Sequence, residues 1–170
     1  VEGVPGYSIA DYEESLAGVV SKGQVLLNAE KDEVMRASSI SYEKAGEYFI
    51  GTQSERTSLY FPKNKVGFYA MSDYVLADGI ILIKSYVDEY AETFWGAYST
   101  QKNDTILKPE NKKLVLLQSS AKEYSFLIPY ENGNWLKVEK SGKGIAEVTP
   151  AQARRLKGWQ KDKEAFLIKQ

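Results

Sequence analysis

Neither cysteine nor histidine occurs among the 170 residues. Without them there is no disulfide, no thiolate or imidazole metal ligand, and no Ser-His or Cys-His nucleophile system. No cofactor is expected, since haem, iron–sulfur and zinc centres normally draw on those two residue types. Proline is scarce at five residues, and methionine scarcer at two. Long apolar runs are also missing. None approaches the ~18 residues that a membrane-spanning helix requires, so no transmembrane segment is expected. A large excess of one charge is absent too: the formal net charge is −1, which gives no electrostatic case for nucleic acid.

What is present is a globular composition, 43% hydrophobic, with twelve tyrosines against six phenylalanines and three tryptophans. Tyrosine suits half-buried sheet faces and binding surfaces. The length fits a single domain. Charge is uneven along the chain. Residues 1–60 hold ten acids against five bases, whereas the tail from Ala151 holds six bases against two acids. Val rather than Met opens the sequence. A processed start is therefore expected, and with it an extracytoplasmic location in a bacterial setting.

The local pattern predicts an α+β fold. Residues 1–7 read as an extended arm and residues 8–46 as mostly helical. Ile9, Tyr12, Leu16, Val19 and Val20 recur at helical spacing, with Ser8 as a cap and Gly23 as a stop. Asn28 is positioned to cap a second helix over 29–37, with Glu30, Asp32 and Glu33 in its first turn. From Glu47 to Val148 the chain becomes a series of short β-rich runs separated by turn residues, giving a mainly antiparallel sheet of roughly five to eight strands. Expected strands include Val66–Met71, Ile80–Val87, Tyr90–Tyr98, Leu114–Gln118, Tyr124–Pro129 and Trp135–Lys140. Asn132-Gly133 is the clearest hairpin signal, because it accepts positive φ at both central positions of a type I′ turn. Thr149-Pro150 then opens a C-terminal helix over 149–168, packed on the sheet.

Several residue groups invite a functional reading. Ser41-Tyr42-Glu43-Lys44, Ser72-Asp73 and Lys140-Ser141-Gly142 follow an order that resembles the serine β-lactamase and penicillin-binding-protein elements. A lysine one helical turn from a serine could take its proton. The same S-x-x-K pattern recurs at Ser119–Lys122, so inertness at Ser41 and Lys44 is the expectation. The segment Asn132–Val138 with Ser141–Gly144 resembles the last hairpins of bacterial SH3-like domains. Asp88, Glu89 and Glu92 form an acidic cluster that could serve carboxylate hydrolysis if it lined a pocket. Tyr86, Tyr90, Phe94, Trp95 and Tyr98 form an aromatic stretch read first as core, with a stacking platform for a sugar or partner as the alternative, and Trp135 is a further candidate binding residue. Arg154, Arg155 and Lys157 could make a basic partner face. No catalytic or metal-binding set is assembled. The leading expectation is a non-catalytic module that binds another protein, in a bacterial envelope, secretion or toxin-inhibitor context. Carbohydrate or small-ligand binding and a hydrolase follow as alternatives.

Overall fold

The computed structural model describes residues 1–86 and 92–170; Asp88, Glu89 and Tyr90 are outside the described residues. Among those described, the chain is almost wholly β, with sixteen strands in four sheets, one five-residue helix and one 3-10 turn. It divides into two compact units, Val1–Met71 and Ser72–Gln170.

The first unit contains two antiparallel meanders. One is β1 (Ser8–Leu16), β2 (Val19–Leu27) and β3 (Glu33–Ala37); the other is β4 (Ser39–Glu43), β5 (Tyr48–Gln53), β6 (Arg56–Phe61) and β7 (Val66–Met71). Leu26, Met35 and Ala37 from the first meander share a core with Ile40, Phe49 and Tyr60 from the second. The Gln24 side chain joins the sheets by accepting from Ile40 N–H at 2.7 Å. Residues 1–7 are not an extended arm. They fold into turns, closed by Val4 N–H to the Val1 carbonyl and Tyr7 N–H to the Val4 carbonyl, and Val4 plugs the core.

The expected N-terminal helices are strands. Ile9–Lys22 forms the β1–β2 hairpin, in which nine residue pairs run from Ser8↔Leu27 to Leu16↔Val19. Ala17 and Gly18, at φ 52° and 82°, reverse the chain in two residues. Of the helical stripe, Ile9 packs on the core, while Leu16, Val19 and Val20 are exposed. Gly23 does not stop a helix. It lies opposite Tyr12, where a Cβ would come within 2.8 Å of the ring. Asn28 does cap, but it caps a turn: its Oδ1 accepts from Glu30 N–H at 3.0 Å and Asp32 N–H at 2.9 Å. Lys31 takes a φ of 67°, which a helix cannot contain, and the chain continues into β3.

The second unit pairs a four-stranded sheet with a five-stranded one. The first holds β8 (Asp73–Leu76), β9 (Ile80–Tyr86), β10 (Thr93–Ser99) and β11 (Thr105–Asn111), in sequential order. The second holds β12 (Leu114–Gln118), β13 (Tyr124–Pro129), β14 (Trp135–Val138), β15 (Gly144–Val148) and β16 (Ala165–Lys169), with β16 beside β12. Ile80, Leu82, Trp95 and Ala97 meet Leu114, Leu116, Phe126 and Val138 in the shared core. On the other face of the larger sheet, Leu127, Phe166 and Ile168 are covered by Leu156 and Trp159. The strands expected at Val66–Met71, Leu114–Gln118 and Tyr124–Pro129 have those bounds.

The C-terminal helix is the third correction. Helix α1 starts at Pro150 with a full Thr149/Gln152 capping box, but it ends at Arg154. Gly158 then takes φ 95°, and the tail extends into β16, parallel to β12. The physical reason lies in β12, whose residues Leu114–Gln118 are all buried. A strand buried on both faces needs a ladder on both edges, and β16 supplies the second.

Candidate functional site

The β1–β2 hairpin changes character halfway along. Its inner half rests on the core. Its outer four pairs, Glu13–Leu16 with Val19–Lys22, are exposed on both faces. Four pairs at ~3.4 Å rise project about 13 Å. The stem is braced by Arg36 of β3, which bonds Glu14 at 2.5 Å and Glu33 at 2.6 Å, and whose guanidinium lies 4.3 Å over the Tyr12 ring. The hydrogen bonds that Arg36 donates to Glu14 and then to Glu33 hold its pKa above the ordinary value.

At the end of this braced stem the side chains are apolar. Leu16 is 81% exposed, Val19 66% and Val20 53%. Leu16 pairs with Val19 while Val20 pairs with Ser15, so the apolar atoms cover both faces and the tip. Ala17 occupies a left-handed position that costs an L-residue roughly 1–2 kcal/mol and that Asn, Asp or Gly normally fills in such a turn. Local stability alone would choose a different residue. The signal in sequence is Ala17-Gly18 followed by the β-branched pair Val19-Val20; it is hidden by the helical spacing of Ile9, Tyr12, Leu16, Val19 and Val20.

The residues singled out from sequence do not converge. Tyr90 is outside the described residues. Trp95 is 2% exposed within the second unit's core, and its indole N–H finds no hydrogen-bond partner among the described residues. It offers no stacking surface. Tyr98 is half-buried, and burial raises its phenol pKa above the ordinary value. Trp135 packs edge-on against Trp159 at 5.2 Å, on the face of the larger sheet away from Trp95. Arg154, Arg155 and Lys157 are exposed around the end of α1, beside the Leu156 and Trp159 that cover that face. Glu92 is exposed, and Asp88 and Glu89 are outside the described residues.

The serine–lysine arrangement loses its geometry. Ser41 lies on β4 and Lys44 in the turn beyond it, both exposed, so no helical turn brings them together. Ser120 Oγ is used in a turn, accepting from Lys122 and Glu123 N–H. Among the described residues no group of three acids could hold a metal ion, and no helix is long and apolar enough to cross a membrane. Compared with family models, with curated proteins and with solved structures, this chain finds no match.

Proposed function

We propose that this chain is a non-catalytic protein-binding module that docks through the tip of its β1–β2 hairpin. The observation that carries the proposal is the run Leu16–Val20, which holds three large exposed apolar side chains on a stem braced by Arg36. The partner is a protein with an apolar socket that takes the three exposed side chains of the tip. A lipid surface is the less favoured target, because interfacial segments rely on Lys, Arg and bulky aromatics that this tip lacks. An extracytoplasmic setting belongs to the same proposal.

Burying Leu16 contributes about 1.5–3 kcal/mol, or roughly tenfold to a hundredfold in affinity. The test places a photo-crosslinking amino acid at Val19 in cells, then purifies the captured protein and measures its affinity directly. Leu16→Ser should weaken that complex at least tenfold, with the melting temperature unchanged. An unchanged affinity would overturn the proposal, as would hairpin-dependent flotation with neutral or anionic vesicles.

A further inference from the structure

We infer that the cleft between β11 and the β14–β15 turn binds a short apolar peptide of two or three residues, held by its opposite terminal charges. The cleft measures about 530 Å³ and lies wholly within the second unit. That volume is within the range of small-ligand sites. Leu107, Ile128 and Val138 supply apolar lining, and Ser141 of the β14–β15 turn borders the cleft.

The β11 wall is irregular in a specific way. Trp95 pairs with Asn111 but Ala97 pairs with Leu107, so two steps on β10 are matched by four on β11. Lys108, Pro109 and Glu110 therefore bulge out opposite Gly96. Only glycine fits there, since a Cβ would sit 2.8 Å from the Leu107 carbonyl oxygen. Asn111 clamps the bulge by donating to the Trp95 carbonyl at 3.1 Å and the Lys108 carbonyl at 3.3 Å. Bulges on edge strands commonly re-aim side chains toward sites.

This bulge brings Lys108 and Glu110 to the cleft wall. Their charges are opposite, both side chains are exposed, and neither joins an ion pair among the described residues. Lys108 and Glu110 lie two residues apart on the bulge, so both charges border one wall of the cleft and suit a ligand that carries both signs. A ligand carboxylate would meet Lys108, its ammonium would meet Glu110, and its apolar side chains would lie on Leu107 and Ile128.

The test titrates the intact chain with the dipeptide Leu-Leu, with its N-acetylated, C-amidated form, and with free leucine. Amide NMR shifts of Gly142 and Val138 are the readout. Leu-Leu should bind saturably, and the doubly capped form at least tenfold more weakly. Free leucine, with a single side chain to lay on the apolar lining, should also bind more weakly. Lys108→Gln and Glu110→Gln should each weaken Leu-Leu at least fivefold. Ser141→Trp should block binding with the circular dichroism unchanged. Absence of saturable binding at millimolar Leu-Leu would overturn the inference, and so would equal binding of the capped form. Binding indifferent to a correctly folded Ser141→Trp would overturn it as well.

Discussion

The β1–β2 hairpin turns at Ala17-Gly18 with φ of 52° and 82°, and the β13–β14 hairpin turns at Asn132-Gly133 with φ of 57° and 76°. The φ angles nearly coincide; the connections and the chemistry do not, since two residues separate Leu16 from its partner Val19 and five separate Pro129 from its partner Trp135. At Asn132 the turn carries a residue that tolerates the left-handed region, and it joins strands holding Phe126, Leu127 and Val138 in the core. At Ala17 it carries one that does not, and it joins strand ends that touch no core. The second hairpin follows every local rule and contributes to stability. The first places alanine in the left-handed region, as the chain also does at Ala70, and what sets it apart is that its neighbours Leu16, Val19 and Val20 are apolar and exposed.

The largest expected contrast lies in the side chains. Phe126→Ala should cost about 3–5 kcal/mol, read as a fall in the chemical-denaturation midpoint. Leu16→Ala should change stability by less than about 0.5 kcal/mol. Similar losses for both would break the contrast by showing that Leu16 supports the fold. Next come the turn glycines. A Cβ on Gly18 or Gly133 meets no atom within 4 Å, so each Gly→Ala change carries backbone strain alone. Both should destabilise by about 1–2 kcal/mol, equally within error.

Exchanging the first turn residues gives a smaller, signed effect. Ala17→Asn should stabilise by a few tenths to about 1 kcal/mol, and Asn132→Ala should destabilise by a similar amount. Thermal melts of the two variants should move in opposite directions; a loss in both would show that Ala17 is not strained. The smallest effect is pH-dependent. Burial, and then the hydroxyl of Tyr7 at 3.2 Å, raise the pKa of Tyr60 in the first unit, while burial alone raises that of Tyr124 at the start of β13. A raised phenol stays protonated in the folded state while the unfolded state ionises. Its stabilisation is complete below about pH 10 and is lost as pH rises beyond that value. Tyr60→Phe should flatten this alkaline loss more than Tyr124→Phe does.

Legibility from sequence followed the local physics. Between Glu47 and Val148, β-branched and aromatic runs were punctuated by turn residues, and strands such as β7, β12 and β13 could be bounded there. The N-terminal third misled because Ile9, Tyr12, Leu16, Val19 and Val20 satisfy a helical period while three of them face solvent. The period assumes that apolar residues are buried, and at the exposed tip of the β1–β2 hairpin that assumption fails. At the other end, Thr149-Pro150 marked a real helix start. Nothing local could show that Ala165–Lys169 would be needed beside β12, some fifty residues earlier in the chain. The candidate tip was thus present in the sequence but assigned to the interior, and the β11 bulge depends on a pairing that sequence spacing does not reveal.

That pairing of β16 with β12 also sets an order of events. Four consecutive buried apolar residues, Leu114–Leu117, followed by the buried Gln118, make a segment with one bare ladder edge until Ala165–Lys169 arrives. Such a segment pairs readily with another chain while it waits. Closing a loop of about fifty residues into a parallel pair is a slow, non-local step. Refolding should therefore be lossy at high protein concentration, with aggregates seeded through β12, and a Phe166→Asp or Ile168→Asp variant that delays docking should increase the loss. The strand at the tail works as a latch on the hazard that the core itself creates.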